Sequence, residues 1–155
     1  ASHPDALLVI QGTPHPTGDG TLEYYRMLQS LVAARHLENR VIFNDTFLRD
    51  EDLRDGLLSA HVYVNAYTDE VASVSGTLAM AMGFGVPCVS TPYPYASEVL
   101  ADRRGILVPF RNPFALANAV TYLLDDIDRA REIGLRGAAS TLSWNDVGKE
   151  FLAIV

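Results

Sequence analysis

An α/β fold, with a parallel sheet of about five strands and helices on both faces, follows from three observations. Short apolar runs of strand length alternate with amphipathic segments of helical spacing along the whole chain. Each apolar run stops at glycine, proline or polar residues. No run is repeated, and no low-complexity tract or linker divides the 155 residues, which suit one domain with a single core.

The elements come in order. Ala6-Leu7-Leu8-Val9-Ile10 is a continuous apolar run ending at Gln11-Gly12, the pattern of a strand buried on both faces. Thr13 to Gly20 is dense in glycine and proline and reads as loop. From Leu22, apolar positions recur at Tyr25, Leu28, Leu31 and Val32, a helix with Glu23 in its first turn. Val41-Ile42-Phe43 is the second strand, and Asp50-Glu51-Asp52 opens a helix carrying Leu53, Leu57 and Leu58. His61 to Ala66 is the third strand. Ser75-Gly76-Thr77 introduces a short apolar helix, Leu78 to Met82, which Gly83-Phe84-Gly85 stops. Pro87 to Ser90 and Gly105 to Val108 are the fourth and fifth strands, with a short helix, Ser97 to Ala101, between them. Asn112-Pro113 is an N-cap followed by proline in the first helical position, leading a helix with Leu116, Ala119, Val120 and Leu123. Asp126 to Val155 reads as helices broken near Ser140-Thr141, with Trp144 anchoring the last and the aspartates at 125, 126 and 128 capping.

Right-handed crossovers place the loops Gly12–Gly20, Asn44–Phe47, Tyr67–Gly76 and Ser90–Tyr95 at the carboxyl edge, where such sheets bind ligands. The start of the helix at Ser75 offers free N–H groups and a favourable dipole to an anion, and Gly76 admits a phosphate to the backbone. The same residues equally suit a plain N-cap and a packing glycine, and the sequence leaves both readings open. Tyr93 and Tyr95 either wall a cleft or pack their proline-rich loop. His15 is the only histidine in an expected carboxyl-edge loop; solvated loop residue and ligand contact both remain open for it. No histidines and carboxylates share metal-ligand spacing, and neither a Gly-x-Ser-x-Gly elbow nor a Walker loop is present.

Composition narrows the function. The net charge of −7 gives little counterion-release affinity, so nucleic acid is not an expected partner. Cys88 is the sole cysteine, which rules out an intrachain disulfide. No apolar run reaches the roughly 18 residues that cross a bilayer, and the first residues lack the regions of a signal peptide, which points to the cytoplasm.

In order, Gly12-Thr13-Pro14-His15-Pro16, Val41-Ile42-Phe43, Val62-Tyr63-Val64, Ser75-Gly76-Thr77-Leu78-Ala79, Ala81-Met82-Gly83, Gly85-Val86-Pro87, Val89-Ser90-Thr91-Pro92-Tyr93, Gly105 to Phe110 and Asn112-Pro113 resemble the C-terminal domain of GT-B retaining glycosyltransferases of family 4. The resemblance covers almost the whole chain. It implies a Rossmann-like half of a GT-B fold: residues 1–155 as one donor-binding domain that lacks the family's first strand and helix. Its partners would be a nucleotide-diphosphate sugar and an N-terminal acceptor domain absent from this chain. The resemblance further implies transfer with retention, without a metal or cofactor. Ser75, Gly76 and Thr77 match the positions that hold the donor's phosphates. Thr46 and Phe47 match the loop beside the base, and His15 falls in the first loop of the set. The family's two signature glutamates fall on Met80 and Ala72, so no residue of the chain is assigned a catalytic role. A non-catalytic binding or structural relative is the alternative, and the isolated chain is expected not to turn over. Because the family places a further strand between the first and third strands seen here, direct closure is expected, in the order 2-1-3-4-5 with Leu8 beside Val64; a residual exposed edge would favour a homodimer.

Overall fold

A computed structural model of the chain describes residues 3–13 and 21–141, with Lys149 and Leu152 in addition. His15 and Trp144 lie outside the described residues. The chain forms two compact units, Ala1–Glu51 and Asp52–Val155.

The first unit holds β1 (Leu8–Gln11), α1 (Thr21–Ala34) and β2 (Val41–Asn44). β1 and β2 pair in parallel, Leu8 opposite Val41 through Gln11 opposite Asn44. The ladder extends at both ends, from Leu8 N–H to the Arg40 carbonyl and from Gly12 N–H to that of Asn44. The Arg40 guanidinium donates to the carbonyls of Ala6 and His3 and so fixes the entry to β1. The inward positions of α1 meet the strands, with Tyr25 edge-on to Phe43 at 5.3 Å. The helix ends in a Schellman motif: His36 adopts φ 53, its N–H bonds to the Ala33 carbonyl, and Leu37 N–H reaches that of Val32.

In the second unit α2 (Asp50–Ser59), which begins at the boundary, leads to β3 (Tyr63–Asn65), α3 (Gly76–Gly83), β4 (Cys88–Ser90) and α4 (Pro94–Val99). β5 (Ile106–Leu107), α5 (Pro113–Leu124) and α6 (Ile127–Ser140) complete it. β3, β4 and β5 pair in parallel in that order. Successive residues of a strand face opposite sides of the sheet, and β4 shows the result. Cys88 joins a core with Leu57, Leu78, Ala81, Met82, Tyr93, Ala96 and Leu100, while Val89 joins Val108, Ala119, Leu123 and Ala130. Helices therefore cover both faces, as the alternating pattern predicts. α4 starts at Pro94 rather than Ser97, because proline in the first helical position has no N–H to lose and a preset φ. Asn112 and Asp126 cap α5 and α6 by accepting from the N–H groups of Ala115 and Arg129.

The expected pairing of Leu8 with Val64 would join the two units; the ladders described lie within each of them, β1 with β2 in the first and β3, β4 and β5 in the second.

Two close approaches position α3. α3 ends in a second Schellman motif, with Gly85 at φ 73, its N–H on the Met82 carbonyl and Val86 N–H on that of Ala81. Gly134 of α6 lies against this turn: a Cβ there would collide with the Gly85 carbonyl and come within 3.2 Å of the Pro87 nitrogen. Among the described residues no helix is long and apolar enough to cross a membrane.

The packing yields two predictions. Gly134→Ala must push α6 off the Gly85 turn and should lower stability by about 1–3 kcal/mol. Gly56→Ala, in α2 with nothing near its new methyl, should raise it by about 0.5–1 kcal/mol. Urea unfolding of the two variants measures both signs. Burial pushes the Cys88 thiol up to about 12 from its ordinary value near 9. The thiol stays protonated in the fold while the unfolded chain ionises, so this contribution to stability is full below pH 9 and is lost as pH rises from 9 toward 12. Cys88 should therefore resist iodoacetamide at pH 8 until the chain is unfolded.

Candidate functional site

The carboxyl ends of β3 and β4 meet at the start of α3. Ser75 is the N-cap, extended at φ −143 and ψ 106, and its hydroxyl accepts from the N–H of Leu78. Its carbonyl accepts the first helical bond, from Ala79. That leaves the N–H groups of Gly76 and Thr77, for which no hydrogen bond occurs among the described residues, at the positive end of the helix. Ser75 is buried at 4% exposure, whereas Gly76 is open, and a Cβ at Gly76 would meet nothing within 4 Å. This is an anion-accepting arrangement: two uncommitted donors beside a residue without a side chain.

Beneath it lies a polar network that β3 supplies. Asn65, 4% exposed, donates from Nδ2 to the Ser75 hydroxyl at 2.9 Å and to the Tyr63 hydroxyl at 3.3 Å. Tyr63 in turn donates to Thr77 Oγ1 at 2.7 Å. The Ser90 hydroxyl and the Thr91 N–H both donate to the Asn65 carbonyl, and the Thr91 hydroxyl to the Tyr67 carbonyl, which holds the loop after β3 to the loop after β4. Tyr93 is fully buried and stacked on Tyr67 at 5.0 Å, so it packs its loop rather than walling an open cleft. Its hydroxyl lies close enough to Ser75 and Ser90 to feel their dipoles but completes no hydrogen bond. Burial raises the phenols of Tyr63 and Tyr93 above their ordinary range, the Thr77 and Asn65 hydrogen bonds partly opposing this at Tyr63, so both remain neutral donors at physiological pH.

The other expected site residues belong to the first unit. Asn44 Oδ1 accepts from the Thr46 hydroxyl at 2.7 Å, forming a local turn after β2. Gln11 donates to the Thr46 carbonyl and Thr13 to that of Asp45, so β1 and its loop brace this turn. Phe47 projects from it, 96% exposed. Ala72 and Met80 pack against the core of the second unit as partly buried apolar side chains, and neither offers an acceptor for a sugar hydroxyl. Asn65 and Tyr63 escaped the sequence reading. Their one signal is an amide closing an otherwise apolar strand, a polar group that burial obliges to find partners. Among the described residues no cluster of His, Cys, Asp or Glu suits a metal ion.

Comparison with known proteins identifies the fold and the family. No curated protein matches the chain. Among solved structures, sucrose-phosphate synthase from Thermosynechococcus elongatus superposes with a TM-score of 0.76 at 25% identity, over 96% of this chain and 37% of that one. The C-terminal domain of a glycosyl transferase group 1 family protein, LpcC from Francisella tularensis, superposes at 0.78 with 19% identity, over 88% of this chain and 68% of that one. HepE from Anabaena, in complex with UDP-glucose, also reaches 0.78, at 20% identity over 88% and 36%. The chain thus spans about a third of the length of the synthase and of HepE. Its fold is that of GT-B glycosyltransferase C-terminal domains. The family model for glycosyl transferases group 1 matches residues 2–126, most of the sequence, and the chain belongs to that family.

Proposed function

We propose that this chain is the nucleotide-sugar-binding domain of a glycosyltransferase of the family-4 type, one that transfers a sugar from a nucleotide diphosphate with retention. The observation that carries the reading is the start of α3, where a buried cap, an unobstructed glycine and two uncommitted N–H groups share one turn. Departure of a nucleoside diphosphate leaves negative charge on its terminal phosphate. Fixed backbone dipoles stabilise that charge without reorganising during the reaction, and they do so without a metal. HepE, bound to UDP-glucose, and its complexes with UDP support a uridine diphosphate donor as the first ligand to test. In this reading Ser75, Gly76 and Thr77 hold the diphosphate, and the exposed Phe47 with Thr46 meets the base; His15, in the loop after β1, is the remaining candidate contact. Residues 1–155 act as the donor half, and an acceptor-binding domain supplies the other wall of the active site.

A second reading, a relative that binds but does not transfer, is favoured by Ala72 and Met80. Both stand at positions where the family carries carboxylates, and both pack against the core.

Gly76→Val separates binding from folding, since the new side chain enters open space and only a ligand would meet it. By calorimetry the unaltered chain should bind UDP, and the variant should bind at least tenfold more weakly with an unchanged melting temperature. Equal affinities would overturn the phosphate assignment. Absence of UDP and UDP-glucose binding by the unaltered chain would overturn the donor-binding reading itself.

A further inference from the structure

We propose that Asn65 is the positioning residue of the anion site: it sets the direction of the hydrogen bonds beneath α3 so that the Ser75 and Thr77 pair presents at least one hydroxyl proton outward. This rests on the donor-binding reading above and concerns a residue that touches no ligand itself.

The argument is one of counting protons. A primary amide nitrogen has two donors and no acceptor. Asn65 directs both upward, one to Ser75 Oγ at 2.9 Å and one to the Tyr63 hydroxyl at 3.3 Å. Ser75 Oγ also accepts from Leu78 N–H at 3.3 Å, and the Tyr67 hydroxyl points its proton at the same oxygen from 3.4 Å, so the lone pairs of this oxygen are occupied and its own proton is left to donate. Having accepted from Asn65, Tyr63 donates onward to Thr77 Oγ1 at 2.7 Å, and the Thr77 proton is then directed away from the strand. Ser75 and Thr77 lie 3.4 Å apart, so at most one of the two protons is spent between them. At least one hydroxyl donor therefore joins the N–H groups of Gly76 and Thr77.

The opposite placement of the amide oxygen and nitrogen would reverse every arrow. It would also leave two buried donors unmet in place of one acceptor. In the arrangement present, the amide of Asn65 leaves one atom without a partner, Oδ1, inside a residue 4% exposed. One unmatched carbonyl oxygen is the smaller penalty, because such acceptors go unpaired more readily than buried donors. That orphan is what remains when the amide commits both protons to the helix start.

Substitution distinguishes this role from packing. Asn65→Asp is isosteric but accepts where asparagine donates, so it turns the hydroxyl protons of Ser75 and Tyr63 inward. Asn65→Ala removes the amide and leaves the hydroxyls free to turn. Proton ordering predicts that Asp is worse than Ala; a packing role predicts that Ala, with its cavity, is worse. The experiment titrates each protein with inorganic pyrophosphate and with UDP, following the backbone amides of Gly76 and Thr77 by NMR, with α3 checked as helical from its chemical shifts. The expected losses in affinity are more than tenfold for Asn65→Asp and about threefold for Asn65→Ala and Tyr63→Phe. If the unaltered chain binds pyrophosphate and the variants match it, or if Ala is worse than Asp, the inference is overturned and the anion site stands. If Asn65→Asp fails to fold, the Tyr63→Phe variant decides, and unchanged binding there overturns the inference. If neither ligand moves the amides of the unaltered chain, both the site and the inference fall.

Discussion

The hydroxyl of Ser75 is the point on which the carboxyl edge of the second unit depends. It closes the first turn of α3 by accepting from Leu78, and it receives the Asn65 amide from β3. Loss of a capping hydroxyl alone costs about 1 kcal/mol. Here the loss would also strand a buried amide proton, which adds about 1–3 kcal/mol. The same oxygen thus fixes where α3 begins and how β3 approaches it. The ten-residue loop from Ala66 to Ser75 has its far end defined there, and its near end is held where Thr91 bonds the Tyr67 carbonyl. In the proposed reading the backbone that accepts the ligand is not a loop but the first turn of a helix anchored to a buried strand.

From the opposite side α3 is held by shape rather than by polarity. Its C-terminal turn needs a residue at positive φ, which Gly85 supplies, and α6 approaches that turn so closely that only a glycine fits at Gly134. Gly137 makes a similar approach to the Arg104 carbonyl, 3.2 Å from where its Cβ would stand. A helix only eight residues long gains little from its own hydrogen bonds. Its placement comes from Leu78, Ala81 and Met82, all buried. Both ends are thereby fixed, the first by a polar knot and the last by close backbone contact.

Much of this was legible in the sequence, and the limits have physical causes. The alternation of apolar runs with helical spacing located the five described strands and the helices between them, because a strand covered on both faces favours apolar side chains at successive positions, as at Cys88 and Val89 of β4. Cap residues marked α3, α5 and α6 at Ser75, Asn112 and Asp126, since a helix start has orphan N–H groups that few side chains can satisfy. Strand adjacency was not legible, because the pairing of one strand with another is a property of the crossovers and leaves no trace in either run. Within the site, Ser75, Gly76 and Thr77 announced themselves as a helix start. Asn65 did not, because its partners are ten or more residues away and only the folded sheet brings them together. Tyr93 shows the converse: its composition allowed a cleft wall, and burial decided for the core.

Recognition by main-chain groups explains how the two halves of the family pattern can part company in one chain. An anion held by N–H groups and a helix dipole requires a glycine and a cap but no particular acid or base. Such a site tolerates wide drift elsewhere so long as α3 keeps its start. Contacts to a sugar's hydroxyls are different, for they need side-chain acceptors at fixed positions, and a methionine or alanine there offers none. At Met80 and Ala72 the apolar side chains instead gain burial against the core beneath α3. In the proposed reading, stabilisation at these two positions goes to the fold rather than to a ligand, because each side chain packs against the core beneath α3 and offers no group that reads a sugar. A site of this composition would hold a diphosphate by backbone geometry and leave discrimination among sugars to groups other than these two.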